Sequence, residues 1–303
     1  MFMSLLVTGS IGIDTVNTPF GTSESCLGGS AVYFSMAASF FSPVRFLGVV
    51  GDDCPFDLHK IFSGRDVDLT GLEVRAGSKT FRWQGSYVGA MNDANTDSVE
   101  LNVLEEAPAT LPDSYTDSAF LFLANTAPAL QSQLIDKVAS PKLIVADTMN
   151  LWIDIARADF EALLKKIDGL VLNEGEARMF TGKDNLVAAA KAICQEGPKF
   201  VIVKKGEHGT LLMTKNDECF VLPAYPTDQV KDPTGAGDSF AGGMMGYLAN
   251  AGNYELKALK QSIAYGTVVA SLNIENFSLD ALQNTTMTEI NNRLTSLKEM
   301  IQF

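Results

Sequence analysis

Short apolar runs alternate with segments of helical period along most of the chain. The runs at 4–8, 45–50, 120–124, 143–146, 169–172, 200–204 and 210–213 are almost continuously apolar, which predicts buried β-strands. Residues 31–41, 128–138, 160–167 and 186–196 repeat apolar positions at helical spacing and predict amphipathic helices between several of them. Buried strands joined by helices imply a three-layer α/β/α fold with a mostly parallel central sheet covered on both faces. Ligands on such sheets bind beyond the carboxyl ends of the strands. One segment departs from the pattern. In residues 78–104, Phe81, Trp83, Tyr87 and Val88 favour strand, and the run 91–97, MNDANTD, is turn chemistry. Together with 15–25, which has no helical period, it predicts a small β lid. No internal repeat, low-complexity tract or Pro/Ser-rich linker divides the chain, so 1–303 reads as a single domain with the lid as an excursion from it.

Composition narrows the function. A chain of 303 residues buries about three quarters of its unfolded surface and needs no disulfide or metal staple. The balance of 23 basic against 36 acidic residues, net −13, argues against a nucleic-acid or anionic-membrane surface. It still allows a small anion bound by a local cluster of backbone amides. Cys26, Cys54, Cys194 and Cys219 show no metal-like spacing and read as reduced thiols of a cytoplasmic chain. His59 and His208 are the only histidines, which disfavours a zinc site built on several of them. The opening MFMSLLVTGS lacks a basic segment before its apolar stretch and reads as a first strand, not a secretion signal. No apolar run approaches the ~18 residues of a transmembrane helix.

The most informative segment is 228–248, DQVKDPTGAGDSFAGGMMGYL. Pro233 stops whatever precedes it, and Phe240, Met244, Tyr247 and Leu248 share one face of a helix starting near Gly237. The first N–H groups of a helix lack internal partners and sit at the positive end of its dipole. Gly235, Ala236 and Gly237 at that point make a cradle for negative charge, as on a transferring phosphoryl group. Asp238 beside the cradle is suited to take a proton from an attacking hydroxyl. The same residues also fit a helix cap on a glycine turn. There is no GxxxxGK[ST] and no GxGxxG pattern in this segment.

DPTGAGDSFAGG resembles the carboxyl-terminal signature of the PfkB (ribokinase-like) carbohydrate kinase family. Other segments fit in the expected order from about residue 4 to 285: Asp14 after the first strand, the Gly28-Gly29 pair opening a helix, the N-x-x-E of Asn173 and Glu176, and the glycine turn Lys205-Gly206-Glu207-His208-Gly209. The resemblance implies a ribokinase-like fold and phosphorylation of a sugar hydroxyl by ATP with Mg2+. Asp238 would be the catalytic base and the amides of Gly235, Ala236 and Gly237 the anion hole. Asp14, Gly28, Gly29, Tyr33 and Asn150 would face the substrate, and Lys205, Gly206 and Gly209 the nucleotide. Asn173 and Glu176 would order magnesium, Glu176 through water, although the residues by themselves favour a capped strand-to-helix turn. Asp232 and Thr234 match positions that often hold a monovalent cation, K+. Arg82 or Lys79 in the lid would be within reach of the transferred phosphate. Tyr33 stands where family members commonly carry asparagine, so recognition of ribose or fructose does not follow. The expected partner is a small sugar or, alternatively, a nucleoside, given Tyr33, Phe81, Trp83 and Trp152; a catalytically silent ligand-binding relative is a second alternative. A homodimer through exposed lid edges is also expected.

Overall fold

The computed structural model describes residues 3–302. Strand β1 (Leu5–Thr8) leads into β2 (Gly12–Thr18) and β3 (Gly21–Gly28), followed by α1 (Ser30–Ala38) and β4 (Val44–Gly51). The single turn α2 (Leu58–Ile61) precedes β5 (Val67–Arg75), β6 (Phe81–Ser86) and β7 (Asn95–Glu100). Next come β8 (Phe120–Leu123), α3 (Pro128–Ile135), β9 (Leu143–Asp147), α4 (Asn150–Ile155), α5 (Arg157–Leu164) and β10 (Gly169–Asn173). They are followed by α6 (Glu174–Thr181), α7 (Leu186–Glu196), β11 (Phe200–Lys204), β12 (Thr210–Thr214) and β13 (Cys219–Leu222). Helices α8 (Ala236–Ala251), α9 (Leu256–Asn273), α10 (Asp280–Asn284) and α11 (Met287–Met300) close the chain.

The large sheet has the order β13-β12-β11-β10-β9-β8-β1-β4-β5. Every neighbouring pair from β11 to β5 is parallel, while β12 is antiparallel to both β11 and β13. The chain builds outward from β1 through β4 and β5, then returns to the other side of β1 with β8. That reversal opens a crevice beyond the carboxyl ends of β1 and β8. Strand alternation sends Leu5 and Val7 into one core and Leu6 into the other, so each face has its own helical cover.

Three differences from the pattern-based expectation have physical causes. Helix α1 has no polar face, because all nine of its residues are buried. Helix α8 lies between α1 and α9, and at Gly242 an added Cβ would come within 2.3 Å of the Phe34 carbonyl oxygen. Helices α9 and α11 are absent from the expected set; α9 is buried on more than one side, so its apolar positions form no single stripe. Strand β5 was likewise not expected: it is an edge strand of mixed polarity.

The lid is a four-stranded sheet, β3-β2-β6-β7. Its first hairpin runs from Gly12 to Gly28, longer than the expected 15–25, because the β2–β3 ladder continues back to the sheet. Strand β2 joins β6 in parallel, and β6 pairs with β7 antiparallel. A small apolar cluster of Val16, Tyr87 and Met91, with Phe277 packed against it, attaches the lid to the body. Among the described residues no helix is long and apolar enough to cross a membrane, and the four cysteines are unpaired.

Candidate active site

The crevice widens into a cavity of about 740 Å³ between the lid and the sheet. Its floor is built from the ligand ends of the strands: Gly9 and Ser10 after β1, Asn125 after β8, Asp147 at the end of β9 and Lys204 at the end of β11.

Helix α8 begins at this floor, and Gly235, Gly237 and Asp238 of its start line the cavity. Gly235 adopts φ 73°, and a Cβ there would sit 2.3 Å from the Tyr33 ring, so two independent constraints demand glycine. The amides of Gly235 and Gly237 donate to no protein group among the described residues. The Ala236 amide instead donates to the Pro233 carbonyl at 3.1 Å. The expected three-amide cradle is therefore narrowed to two, because the turn that opens the helix consumes the middle donor. Asp238 sits in the first turn. Burial pushes its carboxyl up to about 7, the Asp147 charge adds to this, and Lys204 opposes it.

Asp14 faces the same space from a bulged stretch of β2. It is 4% exposed, and its Oδ1 has no hydrogen-bond partner. Burial, then the charges of Asp232 and Asp238, push it up to about 7. Gly28 does not line the cavity but makes room for this carboxylate, since a Cβ there would lie 1.8 Å from Asp14 Oδ2. Gly29, Tyr33, Asn150 and Thr234 do line it.

The remaining expected residues lie outside the cavity wall. Asn173 and Glu176 form a reciprocal cap on α6: the Glu176 amide donates to Asn173 Oδ1 at 2.8 Å, and the Asn173 amide to Glu176 Oε2 at 2.7 Å. Burial and then Asp147 push the Glu176 carboxyl up to about 7, against the lowering effect of Lys204. Lys205, Gly206 and Gly209 make the turn between β11 and β12, where the neighbouring Glu207 accepts from Asn92 Nδ2 at 3.0 Å. Asp232 is 1% exposed; its oxygens accept from the amides of Thr234 (2.9 Å) and Ser278 (3.3 Å), and it has no cationic partner among the described residues. Asn273 donates to the Thr234 carbonyl at 2.8 Å and leaves its own Oδ1 without a partner.

Two features were not anticipated as a set. Lys204 Nζ lies 3.1 Å from Asp147 Oδ2, whose other oxygen accepts from the Thr148 amide at 2.8 Å. Burial pulls the ammonium down, but Asp147, Glu176 and Asp238 outweigh it and hold it above its ordinary range. A charged residue closing a buried strand at the ligand end was the available signal; glycine spacing drew attention to Lys205 instead. The second feature is an aromatic wall. Trp152 Nε1 donates to Asn125 Oδ1 at 2.8 Å, and Asn125 Nδ2 to Met149 Sδ at 3.1 Å. Phe81 and Trp83 line the same cavity from the lid, and Leu104, Pro108, Leu130 and Leu134 add apolar surface to its wall. Neither Arg82 nor Lys79 lines the cavity; Arg82 alternates with Phe81 and Trp83 along β6 and pairs with Asp53 at 2.8 Å.

The model of the pfkB family of carbohydrate kinases matches residues 16–286. The cytidine kinase of Thermococcus kodakarensis is 28% identical over 249 residues, covering 80% of this chain and 87% of the relative. Among solved structures, the Methanocaldococcus jannaschii nucleoside kinase superposes with a TM-score of 0.77 at 17% identity, covering 98% of this chain and 99% of that one. A ribokinase-II-like chain of E. coli, solved in complex with ATP and Mg2+, gives 0.76 at 18% identity, covering 98% and 100%.

Proposed function

The chain belongs to the pfkB family of carbohydrate kinases and is a phosphotransferase with an alcohol group of a sugar or nucleoside as acceptor; from this premise we propose that its acceptor is a nucleoside, phosphorylated by ATP with Asp238 as general base. The observation that carries the nucleoside reading is the lining of the cavity. Besides Asp14, where a sugar's hydroxyls would bind, it includes Trp83 and Trp152 together with the apolar side chains of Leu104, Pro108, Leu130 and Leu134. A free pentose or hexose has nothing to place there, whereas a planar base does.

The unpartnered Oδ1 of Asp14 accepts from an acceptor hydroxyl and fixes its register. Asp238 removes the proton of the hydroxyl being phosphorylated as that oxygen bonds to the γ-phosphorus; the bond from the phosphorus to the β,γ-bridging oxygen breaks, and ADP leaves with that electron pair. The free amides of Gly235 and Gly237 hold charge on the phosphoryl group in flight. Closure of the lid over the acceptor excludes water, which would otherwise compete for the phosphoryl group.

ATP use draws support from the E. coli relative, which holds ATP and Mg2+. Magnesium arriving with the nucleotide would neutralise phosphate charge. Asn173 and Glu176, oxygen donors joined in the α6 cap, would hold the ion through its waters, in keeping with magnesium's preference for oxygen ligands and retained water. Buried Asp232, which has no cationic partner among the described residues and accepts from the Thr234 amide, fits a bound K+, as does the orphaned Oδ1 of Asn273, whose Nδ2 holds the Thr234 carbonyl.

The test is ATP consumption with a panel of nucleosides and free sugars. Nucleosides are expected to exceed free sugars in kcat/KM, and Trp152→Ala to raise the nucleoside KM by roughly tenfold, since base stacking on an aromatic is worth about 1–3 kcal/mol. A wild-type preference for free sugars would refute the nucleoside acceptor and leave the kinase assignment standing.

A further inference from the structure

Among the described residues, Lys204 is the cationic side chain that lies against the start of α8. Of the residues lining the cavity, only Lys204 and Lys137 are basic, while Asp14, Glu106, Asp147, Asp154 and Asp238 are acidic. A triphosphate entering here meets carboxylates on most sides. The ammonium of Lys204 lies close to Gly237, whose amide is free: a Cβ built there would come 2.8 Å from its Nζ. It has three N–H donors, and among the described residues only Asp147, at 3.1 Å, accepts one. Its side chain keeps 19% exposure, against 6% for Asp147. A lysine serving only to neutralise Asp147 would need neither the opening to the cavity nor a place against the first turn of α8.

We propose that Lys204 is a catalytic residue, whose ammonium, aimed by Asp147, contacts a non-bridging oxygen of the transferring phosphoryl group beside the amides of Gly235 and Gly237. This rests on the phosphotransfer reading of the cavity. Lys204 stays protonated throughout; the acceptor proton goes to Asp238, and the bridging oxygen departs with its bonding pair. Asp147 is a positioning residue. It holds the ammonium at the strand end and keeps it charged as burial acts against it.

The experiment compares wild type, Lys204→Met, Lys204→Arg and the double variant Asp147→Asn/Lys204→Met, using ATP turnover, acceptor KM and thermal unfolding. Lys204→Met leaves Asp147 buried and unpaired and is expected to lose stability; the double variant removes that charge and is expected to regain it. In the double variant kcat is expected to remain about 10²–10³-fold below wild type with acceptor KM little changed, as when one donor to a transition-state oxyanion is removed. Lys204→Arg is expected to recover part of kcat, since a guanidinium also carries charge to phosphate. Recovery of wild-type kcat in the stable double variant would overturn the proposal and reduce Lys204 to a counter-ion. Failure of the underlying reading looks different: wild type itself would then turn over no sugar or nucleoside.

Discussion

Burial has moved two carboxylates of the cavity far from where a carboxylate normally titrates, and each bears a testable consequence. Asp238 is pushed up to about 7. As the proposed base it would work only when ionised, so kcat is expected to rise with pH, reach half its maximum near 7 and level off above it, and Asp238→Asn to lose about 10²–10⁴-fold in rate; a profile flat from pH 5 to 8 would exclude it. Asp14 is also pushed up to about 7, so the folded state holds its proton where the unfolded chain has released it. Its contribution to stability is full below about pH 4, declines as pH rises and is lost by about pH 7. Asp14→Asn, which cannot ionise, is therefore expected to unfold at a higher temperature than wild type at pH 8, with the gain shrinking towards pH 5, while acceptor turnover is lost. Both carboxylates were legible in the sequence, Asp238 beside its glycine cradle, where it also fitted a helix cap, and Asp14 through the family resemblance. Lys204 was legible only as the charged end of a buried strand; that this end meets the start of α8 shows in the folded chain alone, where a Cβ on Gly237 would touch its Nζ.

At the scale of elements, the start of α8 depends on a contact with α1. Gly235 is held at positive φ with the Tyr33 ring against it. Gly235→Ala is expected to cost about 1–3 kcal/mol from backbone strain alone, with a further loss from the ring contact. Combining it with Tyr33→Ala is expected to cost less than the sum of the two single changes, because they share that contact; strict additivity in thermal unfolding would show that the ring does not press on the turn. The GAGD pattern marked where the helix starts, but not that Ala236 spends its amide on Pro233. Spacing reports which donors exist; the turn geometry decides which are free. The N-x-x-E pair shows the same limit, since its helix cap was legible and its relation to Lys204 was not.

For the whole molecule, charge has a kinetic consequence. A protein of net charge −13, with five acids against two lysines around its cavity, repels an anionic nucleotide. Raising ionic strength from about 0.02 to 0.15 M screens that repulsion and is expected to lower the KM for ATP; a rise would mean that local attraction at α8 dominates the approach. The parallel sheet, its two covered faces, the separate β lid and the acid-and-glycine chemistry of one helix start were all determined by the sequence alone, because periodicity and residue type are local properties that survive without coordinates. The tertiary structure alone decided which side of β1 receives β8, and therefore where the crevice opens. It also decided that Trp83 from the lid and Trp152 from the body share one cavity, and that a strand-end lysine meets a helix start. Those juxtapositions join residues far apart in the chain, and packing against both faces of the sheet is what brings them together.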